Sequence, residues 1–229
     1  MVKPELVINA AAFIPSPTVD ECKNDLDRTI EGNVLWPSQL AYECKRQHVP
    51  IAHLSTGCIF DQRHEYSEES RPTRGWNGYC GTYVGTKLLA ERWVRIYEKH
   101  YILRLRLPFD EVDHPRNYLS KLASFDRVFE HENSLTHRVD FAKWTLDLWE
   151  KRAPFGTYHM VNTDQISASD TIHKLWEAGV PIKGFVVVNP EGTTGARLSN
   201  AKLVSAIGPV RSVQEAVADA IENWKPKCS

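Results

Sequence analysis

Four short apolar runs, each followed by a turn and a helical stretch, leave this chain few folds to choose from. The runs are Glu5–Ala12, Pro50–Ser55, Tyr101–Leu107 and Thr157–Val161. The first begins as a continuous apolar stretch and ends in small residues, the mark of a buried parallel strand entering a loop. Pro108 closes the third. Cys22–His48 reads as helix, broken or restarted near Pro37. Tyr83–His100 reads as an amphipathic helix. Its apolar stripe is Leu89, Trp93 and Ile96, and its polar side is Glu91, Arg92, Arg95 and Glu98. Val139–Lys151 and Ser169–Ala178 are further helices, Phe185–Val188 is a short strand, and Val213–Trp224 is a last helix closed by Pro226. Strand and helix alternate through the first 160 residues. That order implies an α/β fold, a doubly wound parallel sheet with helices on both faces.

Composition excludes several classes. Among 229 residues, 42% are hydrophobic and 25% charged, with a net charge of -1. This is ordinary for a soluble globular chain. No basic run supports nucleic-acid binding. No apolar stretch approaches the roughly 20 residues that span a bilayer. The five cysteines (Cys22, Cys44, Cys58, Cys80 and Cys228) are widely spaced and include no C-x-x-C pair. They argue for a reducing, cytoplasmic setting and against a disulfide framework. The nine histidines show no metal-ligand spacing, so no metal is expected.

A doubly wound sheet binds its ligand at the carboxyl ends of its strands. Those ends are Ala10-Ala11-Ala12, Thr56-Gly57-Cys58 and Pro108-Phe109. Their small or ring-constrained residues suit a flat cofactor, and equally suit tight turns. Next comes a turn-rich loop from Asp61 to Gly81, and then Tyr83-x-x-x-Lys87. On a helix, residues four apart share a face. The Lys87 ammonium is therefore expected beside the Tyr83 phenol, lowering its pKa toward neutral so that it serves as a general acid. The plain alternative is a Tyr and a Lys on an ordinary helix.

Asn9-Ala10-Ala11-Ala12, Asn33, Ser55-Thr56, Tyr83-x-x-x-Lys87 and Arg104-x-Arg106-x-Pro108 together resemble the extended short-chain dehydrogenase/reductase family. Three strings narrow the resemblance to its nucleotide-rhamnose branch of 4-reductases and bifunctional 3,5-epimerase/4-reductases. They are Ser55-Thr56-Gly57-Cys58-Ile59-Phe60, Pro115 to Lys121, and Asn133-Ser134-Leu135-Thr136. The resemblance implies NADPH or NADH as cofactor, with NADPH favoured, and a nucleotide-linked 4-keto-6-deoxy sugar as substrate. It implies that Thr56 and Tyr83 hold the C4 carbonyl, that Tyr83 protonates it, and that Lys87 holds the nicotinamide ribose. Asn9, Ala10, Ala11, Ala12 and Pro108 join Tyr83 and Lys87 along the cofactor. Cys58 and Lys121 match the acid/base pair of the epimerases. Arg116, Asn117 and Arg197 match substrate-binding positions. By themselves, Cys58 reads as a small buried residue, Lys121 as a surface lysine and Arg197 as a loop arginine.

The family opens with a glycine turn of G-x-x-G-x-x-G type between strand and helix, which cradles the pyrophosphate. Here Gly75, Gly78, Gly81 and Gly85 belong to the loop and helix around Tyr83, and no strand leads into them. A βαβαβ half of roughly 60 residues is therefore expected to be missing from the amino-terminal side. Either the sequence is part of a longer chain, the preferred reading, or the protein starts here and lacks a normal cofactor site. The expected division is 1–106 with 134–162 as a partial dinucleotide-binding domain, and 107–133 with 163–229 as a small α/β substrate domain. A homodimer through the helices at Asp25–His48 and Tyr83–His100 is implied. A 4-reductase without epimerase activity and a non-catalytic subunit of the same fold stand as alternatives.

Overall fold

The computed structural model describes all residues except 1–2, 17, 62–63, 79, 189–194 and 226–229. Pro226 and Cys228 thus lie outside the described residues. Its centre is a parallel sheet of β1 (Val7–Asn9), β2 (Ile51–Thr56), β3 (His100–Leu105) and β4 (Gly156–His159), side by side in chain order. Register pairs Val7 with Ile51, Ile51 with His100, and Tyr101 with Gly156. The expected α/β fold with a parallel sheet is the fold observed. β2 matches its apolar run in length, but the other three strands are shorter than theirs. β1 is three residues long, and Pro108 pairs instead with Thr136 in a separate two-residue ladder.

Between β1 and β2 the chain forms α1 (Leu26–Ile30), a π-helical turn (Glu31–Leu35) and α2 (Trp36–Gln47). Pro37 does not break this rod. It sits in the first turn of α2, where its missing N–H costs little. α3 (Gly81–Val94) joins β2 to β3. Ala41 and Cys44 of α2 and Val94 of α3 bury one sheet face against Ile51 and Ile102. The other face packs Ala52, Tyr101, Leu103 and Tyr158 against Trp144 and Leu148 of α5 (Arg138–Glu150), and against Leu203 and Ile207 of α7 (Ala201–Ile207). Alternate residues of β3 thus feed opposite cores, which the two-residue side-chain period requires. Each fully buried aliphatic residue contributes about 1.5–3 kcal/mol.

A separate core joins α4 (Tyr118–Ser124), α6 (Ala168–Glu177) and α8 (Val213–Glu222) through Leu119, Leu122, Ile172, Leu175, Val213 and Val217. Among the described residues, no helix is long and apolar enough to cross a membrane.

α3 ends at Val94, short of the expected His100, and departs in part from the expected stripe: Arg92, Arg95 and Glu98 are exposed as expected, but other positions are not where the stripe puts them. Trp93 and Ile96 are 49% and 57% exposed, whereas Glu91 is fully buried. The cause is Arg104 on β3. Its Nε and Nη2 donate to the two Glu91 oxygens at 2.9 and 2.8 Å, and Ser55 Oγ donates to the same carboxylate at 2.6 Å. Burial opposes the charge, but the Arg104 bonds outweigh it and hold the Glu91 pKa below its usual value. One buried carboxylate thereby ties β2, α3 and β3 together.

Candidate active site

β2 ends at Thr56, which caps a 3-10 turn (Gly57–Ile59): its Oγ1 accepts from the Cys58 N–H at 3.1 Å. The turn keeps Cys58, half-buried, at the carboxyl end of the sheet. β3 runs alongside with Leu105 opposite Thr56, so Arg106 emerges level with the turn. Arg106 is 4% exposed. Its Nη1 donates to Cys58 Sγ at 2.9 Å and its Nη2 to Asn133 Oδ1 at 3.0 Å.

α3 supplies the phenol. Cys80 precedes the helix with φ 55°, and its N–H donates to Asp20 Oδ1 at 3.0 Å. Trp76 folds back onto the helix's first turns. A Cβ on Gly85 would lie 2.3 Å from the indole, and one on Gly81 would lie 2.2 Å from the Trp76 carbonyl oxygen. These glycines therefore permit a close packing contact. Tyr83 is 9% exposed and hydrogen-bonded to Thr56.

The expected tuning of Tyr83 by Lys87 is not what the geometry shows. Burial, with Cys58, Cys22 and Cys80 nearby, raises the Tyr83 pKa, and the Thr56 bond only partly offsets this. Lys87 does share the buried face of α3, but its side chain reaches across to β2. There Nζ donates to the Leu54 carbonyl at 2.6 Å and lies 3.5 Å from His53 Nε2. Burial lowers the Lys87 pKa to about 8, against the pull of Glu91. The phenol thus holds its proton at neutral pH, as a proton donor must.

Ala10, Ala11 and Ala12 are exposed just past β1. Asn9 is buried, with Nδ2 3.1 Å from His53 Nδ1, while its Oδ1 accepts from the Ala11 N–H at 3.1 Å. Asn9 therefore shapes the alanine turn from below. Asn33, fully buried on the π turn, pins the far end of this loop: it accepts from Phe13 N at 2.8 Å and donates to Phe13 O at 3.0 Å. Pro108 is half-buried at the foot of the short ladder with Thr136.

The remaining candidates fall less neatly. Asn117 is fully buried, caps α4 through the Leu119 N–H, and donates to Asp110 and Val112. Its polar atoms are committed to the fold, which corrects its expected place among substrate-binding groups. Arg116 is exposed and donates to the Ile14 carbonyl at 3.1 Å, bridging α4 to the loop after β1. Lys121 is half-buried, and its pKa is lowered by burial and by the charges of Arg116 and Arg138. Arg116 and Arg138 thus lie close enough for their charges to act on Lys121. Arg197 lies in a two-residue strand beside Glu65, with its Nη1 3.8 Å from Glu132. Arg104 and Arg106 carry part of the family resemblance but no expected role at the site, and Glu91 reads from sequence as a polar surface residue. The signal available was two arginines, alternating at the end of an otherwise buried strand.

His159 on β4 is fully buried near Arg104. Burial, then the Arg104 charge, push its pKa down to about 3. The folded protein keeps it neutral, while the unfolded chain protonates it near 6.5. Its contribution is therefore complete above pH 6.5 and is lost as pH falls toward 3, by about 1.4 kcal/mol per unit. Urea unfolding at pH 7 and pH 5 should show His159→Gln losing less stability on acidification than the parent.

The model described as the RmlD substrate binding domain matches residues 1–224. The chain belongs to that family. This RmlD-family chain is 30% identical over 181 residues to the bifunctional dTDP-4-dehydrorhamnose 3,5-epimerase/dTDP-4-dehydrorhamnose reductase of Arabidopsis thaliana, covering 75% of this chain and 58% of that one. It is 23% identical over 193 residues to the uncharacterized protein L780 of Acanthamoeba polyphaga mimivirus, covering 79% and 65%. The chain thus spans less than two thirds of the length of these curated relatives. Solved structures that share the fold include the following two. The L780 UDP-rhamnose synthase of the same virus superposes with a TM-score of 0.83 at 20% identity, covering 96% of this chain and 82% of that one. A dTDP-4-dehydrorhamnose reductase of Bacillus anthracis in complex with NADP superposes at 0.80 and 17% identity, covering 97% and 81%.

Proposed function

We propose that this RmlD-family chain reduces the C4 ketone of a nucleotide-linked 4-keto-6-deoxy sugar, using NADPH or NADH with NADPH favoured, and epimerises C3 and C5 through the same carbonyl. Such a reaction belongs to nucleotide-L-rhamnose synthesis in the cytosol. The carrying observation is the convergence of Thr56, Tyr83 and Cys58 at the carboxyl end of β2. The Arabidopsis relative described as bifunctional, and the NADP complex of the Bacillus neighbour, support the reading.

The residues past β1 suit a dinucleotide. Three exposed alanines leave room for a flat ring, and Lys87 lies buried beneath with a single ammonium able to meet ribose hydroxyls. Ala10, Ala11, Ala12, Tyr83, Lys87 and Pro108 would hold that half of the cofactor. When bound, it supplies the hydride for C4. Thr56 and Tyr83 donate to the carbonyl oxygen, and Tyr83 gives up its proton as negative charge develops there. The same two donors stabilise an enolate when a proton leaves C3 or C5. Cys58 removes that proton and Lys121 returns one on the opposite face. Arg116 and Arg197 would meet the diphosphate, for which guanidinium groups are suited. Residues 1–106 with 134–162 then form the cofactor side, and 107–133 with 163–229 the substrate side. The separate α4–α6–α8 core supports this division, although α7, within 163–229, packs on the sheet and Leu135 joins the α4–α6–α8 core.

Incubation with UDP-4-keto-6-deoxyglucose and NADPH in deuterated water tests both halves. Oxidation of NADPH with deuterium at C3 and C5 is expected. Absence of NADPH oxidation would reject the reductase. Undiminished deuterium in Cys58→Ser would leave a 4-reductase whose cysteine is structural.

The reading also implies a homodimer. α1, the π turn, α2 and α3 leave Leu26, Leu35, Trp36, Tyr42 and Trp93 between 47% and 71% exposed. Sedimentation should give about twice the 26.2 kDa chain mass, and Trp36→Glu with Trp93→Glu should return it to one.

A further inference from the structure

Arg106 is the buried cation in closest contact with a reactive side chain of the proposed site. Its guanidinium donates one N–H to Cys58 Sγ at 2.9 Å and a second to Asn133 Oδ1 at 3.0 Å. The backbone fixes its base: Arg106 N–H donates to Thr136 Oγ1 at 2.9 Å, and that hydroxyl donates to the Met160 carbonyl at 2.7 Å. Asn133 is held in turn, since its Oδ1 also accepts from the Ala196 N–H at 3.2 Å. The side chain is thus anchored at both ends with one N–H aimed at the sulfur. A planar guanidinium with a fixed donor stabilises an anionic acceptor more than a neutral one.

Other elements also face the sulfur. Arg74, on the loop before α3, brings a second positive charge toward Cys58, and Tyr83 faces it from α3. Asp61, three residues along from Cys58, is engaged by the Tyr66 hydroxyl. Two guanidinium groups, of Arg106 and Arg74, thus lie near the sulfur.

We propose that Arg106 is the positioning residue of the inversion step, aiming the Cys58 sulfur, the base of that step, at the sugar. This rests on the epimerase reading above. In the step, the thiolate takes the proton from C3 or C5 and becomes a thiol. The C–H electron pair moves into the ring as an enolate whose oxygen bears the charge against Thr56 and Tyr83. Lys121 then gives a proton from the opposite face, the enolate collapses to the ketone, the thiol releases its proton to solvent and the Lys121 amine takes one up. Nothing is oxidised or reduced. Arg106 touches neither substrate nor proton.

The test measures two properties in the parent, Arg106→Gln and Arg106→Lys. One is the rate at which iodoacetamide modifies Cys58 at pH 7, read by peptide mass mapping. The other is the pH profile of deuterium exchange into UDP-4-keto-6-deoxyglucose. Arg106→Gln should slow modification about tenfold and move the acid limb of the exchange profile up by about one pH unit, with Arg106→Lys restoring most of both. A merely structural arginine would lower the melting temperature and leave modification of the folded protein unchanged, and that result would overturn the proposal. If Arg106→Gln fails to fold, Asn133→Ala, which frees the guanidinium from its second anchor, takes its place, and a parental modification rate with a parental profile in that variant overturns the proposal as well. No exchange by the parent, together with slowed modification in Arg106→Gln, would instead reject the epimerase reading while supporting the grip of Arg106 on the sulfur.

Discussion

Tyr83→Phe should reduce a nucleotide-linked 4-keto sugar about 10²- to 10⁴-fold more slowly than the parent, the usual range for loss of a positioned proton donor. The ring still fills its site among Ile59, Phe60 and Val84, so the fold should persist. What disappears is the proton that the developing alkoxide needs. Because burial keeps the parent phenol protonated, the loss should be nearly constant from pH 6 to pH 8. Deuterium exchange at C3 and C5 should survive, since Thr56 still offers a hydrogen bond to the enolate. Initial rates of NADPH oxidation, with exchange followed by NMR, check both halves. A parental rate of reduction in Tyr83→Phe would remove the phenol from the mechanism.

Arg104→Met should lower stability by about 3–5 kcal/mol, because it strands a buried carboxylate. Glu91 is fully buried, and its remaining partners are Ser55 and the partly exposed Arg95. For a chain of this size the melting temperature should fall by about 6–20 °C. The double change Glu91→Leu with Arg104→Met should recover much of the loss, since apolar pairs often replace a buried ion pair at little cost. Thermal melts of the three proteins decide this. A single variant that melts with the parent would show that the pair contributes little.

The sequence displayed the sheet because its strands are runs that only a buried sheet can use. β2 and β3 fall within a residue or two of the stretches beginning at Pro50 and Tyr101. The Thr56–Tyr83–Cys58 cluster was legible because chain order fixed two of its members at one strand end and the third at the next helix start. Polarity misled where partners are distant in sequence. Glu91 reads as solvent-facing until Arg104, on another element, is seen against it. The aim of Lys87 was missed for a related reason: sharing a face with Tyr83 says nothing about the β2 carbonyl waiting beneath. Asn117 looked like a ligand group because an asparagine that caps a helix and one that binds a sugar present the same atoms.

The rod between β1 and β2 contains a π turn, and that turn carries Gly32 and Asn33, on which Phe13 rests. Each residue added to or taken from a helix rotates everything beyond it by about 100°. Deleting one position between Glu31 and Leu35 would keep Ala41 and Cys44 seated on the sheet only by swinging Asn33 out from under Phe13. Evolution can repaint this rod but cannot shorten it, so gaps in related sequences should cluster in its flanking loops and spare these five positions.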